Sequence, residues 1–458
     1  MSHQLPKEFL LSLKDAPGME WDSFEAAHLQ STQLTSIRIN PLKIQDPELL
    51  DLPLENSVPW SSTGYYLSHR PSFTLDPLFH AGAYYVQEAS SMFLEQALKQ
   101  TCNLSASLKV LDLCAAPGGK STLIQSLLSE NSLLVSNEVI KSRVHILSEN
   151  LTKWGALNSV VTNNDPKDFE RMAGYFDVMV VDAPCSGSGM FRKDNDAIKE
   201  WSTDNVALCS QRQQRILSDA LPALKEDGIL IYATCSYSTL ENEYIADWLL
   251  EVHQMESIKI EMDNNAIVES RSQKHGAFGY RFYPDKIKGE GFFLSAFKKI
   301  KEKKNTSIQS KNKSKIEQPN NSQKSIVNKW LNPTASVSSF FWEDQLIAVT
   351  EFLLQEITFL QKQLYIKKAG TRIGSLAKND LIPSHELAMS GMANSSLPFV
   401  DLNLASALEY LRLNNIDLQE CTIGWNLVKY KSISLGWLKK LPNRINNYYP
   451  KEWKILYK

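Results

Sequence analysis

Two cysteines fifty positions apart, Cys185 and Cys235, stand in short polar turns that follow apolar runs. Cys185 closes the Asp-Ala-Pro-Cys of DVMVVDAPCSGSGMFR (177–192), and Cys235 follows Thr234 in ILIYATCSYSTLENE (229–243). A thiolate is a strong nucleophile. A free thiol near neutral pH is only a few per cent ionised, so a site must activate it. Its natural target is an electron-poor ring such as cytosine. Cytosine C5 is not nucleophilic as it stands, but thiolate addition at C6 converts the ring to an enamine. C5 can then attack a methyl donor, after which a proton leaves C5 and the thiol is eliminated. An acid at N3 stabilises the adduct, and Asp182 is well placed for that. The reacting atoms are covered in a stacked helix, so the base must be unpaired or flipped out at a cost of a few kcal/mol. Free cysteines are often plain core residues, but the position of both thiols at strand ends, beside Asp182 and Thr234, favours the reactive reading. No CxxC pairing accompanies the six cysteines, which argues against a zinc site.

The elements that must position these thiols alternate. Apolar runs predict strands at 108–113, 133–137, 159–162, 176–181 and 229–233, with a last strand at 291–297. Amphipathic stretches between them predict helices at 120–128, 140–154 and 205–224. This alternation predicts an α/β fold with a doubly wound, parallel, Rossmann-like sheet. Ligands of such sheets sit beyond the carboxyl ends of the strands. Strand four lies beside strand one and strand five beside four. Gly118–Lys120, Asp182–Cys185 and Thr234–Cys235 are therefore expected to face one cleft.

The first strand runs into VLDLCAAPGGKST (110–122), a small-residue turn that opens a helix. Gly118 and Gly119 lack a Cβ, so a ligand can approach the backbone and the first helical amides. A phosphate-gripping P-loop needs glycine five residues before Gly119, and Cys114 stands there instead. Glu138, at the end of strand two, is placed to accept hydrogen bonds from ribose hydroxyls. Asp165, just past strand three, is placed to meet an adenine edge, and Asp112 to brace the turn. Each acid could also cap a helix or sit in a solvated loop.

The 458 residues carry a net charge of −2 and 43% hydrophobic residues. That is ordinary globular composition, so nucleic-acid binding must come from local basic patches. No apolar run is long enough to span a membrane, and no secretory signal opens the chain, so a cytoplasmic protein is expected. Residues 1–78 read as a small α+β module and 79–299 as the catalytic domain. Residues 300–330 read as a lysine-rich linker. Residues 331–458 form a C-terminal α+β region, with helices expected at 342–360 and 404–413. Its end interleaves Trp425, Tyr430, Trp437, Tyr448, Tyr449 and Trp453 with seven lysines and arginines. These aromatics suit RNA, as stacking platforms among cations, or a small-domain core.

At this point the chain resembles the Nop/Sun family of S-adenosylmethionine-dependent RNA cytosine-5 methyltransferases, above all its bacterial small-subunit ribosomal RNA members. The resemblance rests on SIRINPLK (36–43), GAYYVQEASSM (82–92), VLDLCAAPGGKST, NEVIKSR (137–143), DAPCSGSGMFRK (182–193), ATCSYSTLENE (233–243) and GYRFYPDKIKGEGFF (279–293). GWNLVKYKSISLGWLKK (424–440) resembles their PUA-like RNA-binding module. The resemblance implies Cys235 as nucleophile and Cys185 as the thiol that assists base release or C5 deprotonation. It implies that S-adenosylmethionine contacts Cys114, Ala115, Ala116, Pro117, Gly118, Gly119, Lys120, Glu138, Asp165 and Asp182, with Arg143 ordering that side of the cleft. Lys120 and Asp182 are also implied at the target base, and residues 1–78 as an RNA-binding extension. The expected partner is ribosomal RNA or a ribosomal subunit, acted on by a monomer with no metal. A tRNA substrate, or a non-catalytic ribosome-assembly factor on the same fold, is the alternative.

Overall fold

The computed structural model describes residues 5–30, 34–300, 316–334, 336–378, 380–416, 418 and 421–456. Its centre is a ten-stranded sheet. In chain order the strands are β1 (Lys109–Asp112), β2 (Leu133–Asn137), β3 (Ser159–Thr162), β4 (Phe176–Asp182), β5 (Leu224–Thr234), β6 (Met255–Ile258), β7 (Val268–Arg271), β8 (Phe278–Phe282), β9 (Phe292–Lys299) and β10 (Ile366–Ala369). The spatial order is β7-β8-β9-β5-β4-β1-β2-β3-β10, with β6 also paired to β9. Strands β1 to β5 are parallel neighbours in the doubly wound order 3-2-1-4-5. Successive residues of these strands face opposite cores. Val110, Val178 and Ile231 meet Leu123 and Ile124 of helix α1 (Gly119–Leu127). Leu111, Met179 and Tyr232 meet Ile216 and Leu217 of helix α3 (Thr203–Ala220). Burial on both faces is why these strands read as continuous apolar runs. Helices α2 (Lys141–Trp154) and α4 (Glu243–Val252) complete the layers that position the site.

Several differences from expectation have physical causes. Strand β10 comes from the C-terminal region and pairs antiparallel with β3, covering what would be an open sheet edge. Residues 342–360 are not one helix. Ser338–Trp342 and Gln345–Val349 form a hairpin, and helix α5 (Glu351–Gln363) starts only after Thr350, whose hydroxyl accepts from Leu353 N at 3.2 Å. Glu343 turns the hairpin with φ 57°, which ends any helix there. The four residues Leu346–Val349 are all buried, a strand pattern that a helical period can also match. Within 300–330, residues 301–315 lie outside the described residues. Asn321–Val327 is a helix, fixed by a reciprocal cap between Asn320 and Gln323.

The amino-terminal sheet has the order Leu54–Ser57, Gly64–Leu67, Thr35–Ile39, Tyr84–Val86, so it continues past residue 78. The C-terminal sheet of Phe399–Leu402, Gly424–Tyr430, Ile433–Leu441 and Arg444–Asn447 packs Trp437, Tyr449 and most of Trp425 inside. Those rings are core, while Tyr448 is 40% exposed. This domain docks on the amino-terminal sheet, where Tyr430 and Ile433 join the cluster of Ile39 and Leu78 and Lys431 pairs with Asp51. Among the described residues no helix is long and apolar enough to cross a membrane.

Candidate active site

Strand pairing brings the two thiols together. Asp182 of β4 stands opposite Ala233 of β5, so Cys185 and Cys235 both lie just past the same end of neighbouring strands. Their sulfurs are 3.1 Å apart, and both are free thiols. Contact with Cys235 and burial push the Cys185 thiol well above its ordinary value. Lys120, in the first turn of α1, donates from Nζ to Asp182 Oδ2 at 2.7 Å. Burial works against charge on Lys120, but Asp182 and the nearby Cys235 outweigh it and hold the ammonium above its ordinary range.

A cavity of about 380 Å³ gathers Cys114–Pro117, Gly119, Lys120, Asp182 and Cys235. Gln87, Glu88, Glu290 and Phe292 form its other wall. Cys185 lies behind Cys235 and does not line it, nor do Glu138, Arg143 and Asp165. Arg143 Nη2 donates to Ala116 O at 2.6 Å, and its Nη1 lies 3.4 Å from Glu138 Oε2. Glu138 Oε1 accepts from Ile140 N at 2.9 Å. Asp165 caps a short helix in a reciprocal box with Asp168, which occupies one of its carboxylate oxygens. Asp112 accepts from Ser121 Oγ at 2.6 Å while its Oδ1 is buried without a partner. Burial raises the Asp112 carboxyl to about 7. Burial likewise pushes the Cys114 thiol up, which suits a packing residue.

The residues that hold the two cysteine turns are absent from the sequence-based set. Glu241 receives Ser186 N at 2.7 Å, Ser186 Oγ at 2.6 Å, Ser236 Oγ at 2.5 Å and Gln213 Nε2 at 3.3 Å. It thereby ties the residue after Cys185 to the residue after Cys235. Asn242 accepts from Thr234 Oγ1 at 2.6 Å and donates to Ser236 O at 2.8 Å. Glu243 pairs with the buried Arg281, whose Nη1 donates to Tyr237 O at 2.8 Å. The run Leu-Glu-Asn-Glu is therefore the underside of the Cys235 turn. Its signal was three consecutive polar residues in a segment that packs inside. Gly189 donates from N to Cys235 O at 2.8 Å, and a Cβ there would come within 2.4 Å of Gly291 O. Arg38, on the amino-terminal sheet, donates to Thr122 Oγ1 at 2.5 Å and Gly119 O at 3.3 Å, so that sheet braces the turn.

The turn fits an adenosine-bearing methyl donor. Gly118 has φ 117°, a left-handed conformation that a side chain resists. The helix α1 amides that follow face the cavity end of the sheet. Asp112 Oδ1 is a buried acceptor beneath the turn with no partner among the described residues. A doubly wound sheet with this turn, and with one acid, Glu138, just past β2, fits the class of S-adenosylmethionine-dependent methyltransferases.

Comparison with known proteins narrows the class. Residues 100–298 match the family of 16S rRNA methyltransferase RsmB/F. Residues 5–89 match the N-terminal domain of 16S rRNA methyltransferase RsmF, and 398–455 the methyltransferase RsmF PUA domain. The chain is 31% identical to ribosomal RNA small subunit methyltransferase F of Shewanella baltica over 443 residues, 91% of this chain and 90% of the relative. It is 30% identical to the protein of that name from Shewanella oneidensis over 459 residues, 95% and 93% of the two chains. A crystal structure of a methyltransferase homolog protein from Pyrococcus horikoshii superposes with TM-score 0.51 and 27% identity, covering 65% of this chain and 100% of that one. The chain belongs to the RsmB/F family of 16S rRNA methyltransferases. It is an S-adenosylmethionine-dependent enzyme that methylates C5 of cytosine in ribosomal RNA.

Proposed function

We propose that the chain methylates a cytosine of small-subunit ribosomal RNA through a covalent bond from Cys235 to C6, working as a cytoplasmic monomer. The observation that carries this reading is the cavity in which Cys235 shares a wall with the Lys120–Asp182 pair while Cys185 stands 3.1 Å behind it. Lys120 places its ammonium on the same cavity wall as Cys235. The thiolate adds to C6, and the displaced ring electrons are received at N3, where Asp182 and Lys120 supply the proton or the charge that stabilises it. Bound S-adenosylmethionine supplies an electrophilic methyl group to C5. Solvent water takes the C5 proton, the electron pair of that bond restores the C5–C6 double bond, and the Cys235 sulfur leaves C6 with the pair of the C–S bond. Cys185, held protonated, serves the release step as proton donor to the departing sulfur. Residues Cys114–Lys120 hold the cofactor at the cavity, Glu138 and Asp165 meet its adenosine end from the ends of β2 and β3 outside that lining, and Arg143 braces the turn from Ala116.

Two variants test the roles of the thiols. With cofactor and ribosomal RNA, Cys185→Ala accumulates an RNA–protein complex that survives denaturing electrophoresis, and Cys235→Ala forms none. An adduct that persists in Cys235→Ala refutes this choice of nucleophile. Absence of labelled methyl transfer from the unaltered enzyme to small-subunit RNA refutes the substrate.

A further inference from the structure

A second cavity of about 330 Å³ lies against the first. The two share Val86, Gln87 and Glu88, so one strand separates them. Its size falls within the usual range for a small-molecule site. Arg70, from the amino-terminal module, and Lys193, from the turn after Cys185, both line it. Both side chains are exposed, and neither makes an ion pair among the described residues. Thr35 also lines it, only 4% exposed, and its Oγ1 is buried without a hydrogen-bond partner among the described residues. A buried hydroxyl without a partner costs stability, and a ligand group would relieve it.

We propose that this second cavity is a subsite for the nucleotide adjoining the target cytosine, its phosphate held between Arg70 and Lys193 and its sugar or base reaching toward Thr35. The inference rests on RNA being the substrate. A base drawn out of its stack leaves its neighbour unstacked, and fixed contacts to that neighbour hold the strand in the open form. Two cations from separate domains, one strand away from Cys235, meet that need. Free phosphate shares part of this chemistry but leaves most of a 330 Å³ space unfilled.

The test measures binding of a short fluorescein-labelled oligocytidylate to the full chain by anisotropy across a potassium chloride series, without cofactor. In Arg70→Ala/Lys193→Ala the dissociation constant rises about tenfold or more. The log–log salt slope becomes shallower by about 1.4, from two phosphate contacts at about 0.7 each. Thr35→Val weakens binding severalfold with the slope unchanged. In Arg70→Ala/Lys193→Ala, S-adenosylmethionine affinity, measured by calorimetry, and thermal melting stay at their starting values. A double variant with the original affinity and slope overturns the subsite. Competition by inorganic phosphate as effective as that by RNA marks a free-anion site and also overturns it. Because binding is read without turnover, a chain that binds RNA in this way yet transfers no methyl counts against the methylation reading alone.

Discussion

Removing the carboxylate of Glu241 should separate holding the thiols from holding the fold. In Glu241→Ala three donors lose their acceptor, Ser186 N, Ser186 Oγ and Ser236 Oγ, while Gln213 Nε2 keeps Pro184 O at 3.0 Å. The two hydroxyls can turn to other partners, but the Ser186 amide cannot. A buried donor left unpaired costs about 1–3 kcal/mol, so the expected loss of stability is about 3 kcal/mol, read by urea unfolding. The catalytic loss is separate. Ser186 and Ser236 directly follow the two cysteines, and a displacement of about 1 Å in a reacting group costs on the order of 100-fold in rate. Single-turnover methyl transfer should therefore fall by about two orders of magnitude, or about 2.7 kcal/mol. Glu241→Gln keeps one acceptor and should lose about tenfold, or about 1.4 kcal/mol. Cofactor affinity should not change, because Glu241 makes no hydrogen bond to the 114–120 turn. A Glu241→Ala enzyme that is destabilised but transfers methyl at the original rate would show that Glu241 supports the fold only. A parallel loss of cofactor affinity would show general collapse of the cleft.

Two further outcomes are expected. Glu290 is 2% exposed, and burial raises its carboxyl from 4.5 to about 7. Between those values the unfolded chain has lost this proton and the folded chain keeps it. Rising pH in this window therefore removes about 1.4 kcal/mol of stability per unit. Glu290→Gln should be more stable than the original chain at pH 8, with the gain gone at pH 4, by urea unfolding; equal gains at both values refute the assignment. Arg143→Ala removes the 2.6 Å hydrogen bond to Ala116 O and the contact with Glu138, while the Arg143 side chain is 48% exposed. Cofactor binding should weaken by about 1 kcal/mol, about fivefold in calorimetry, with kcat at saturating cofactor unchanged. An unchanged dissociation constant refutes a bracing role for Arg143.

The parallel core was legible because strands β1 to β5 are apolar on both faces and each ends in a polar turn. The meeting of Cys185 with Cys235 followed from strand order alone. The bracing residues were not legible for a different reason. Glu241, Asn242 and Glu243 look like a polar helix start, and only burial shows that their side chains point under the Cys235 turn. Residues 342–349 suit the helix expected over 342–360 because Leu346, Ile347, Ala348 and Val349 are all buried, which erases the alternation that marks a strand. Asp165 shows how a chemically suitable position can also carry a local structural task, since its cap is formed whatever else its second oxygen does.

How the outer domains couple to the site depends on long-range contacts that no local pattern announces. Arg38 is 1% exposed and stands 4.4 Å over the Trp154 ring, with hydrogen bonds to Gln87, Gly119 and Thr122. Burial lowers its guanidinium to about 9, so it still carries charge at neutral pH. Pulling the amino-terminal sheet away from α1 would strand that charge, and losing one partner of a buried charged group costs several kcal/mol. Asn40 adds to the same joint, donating to both Gly82 O and Trp154 O at 2.9 Å. On the far edge, β10 joins the C-terminal region to β3, and Lys431 with Asp51 closes the contact back to the amino-terminal module. Direct contacts therefore run from the sheet edge through the turn before α1 to both outer domains.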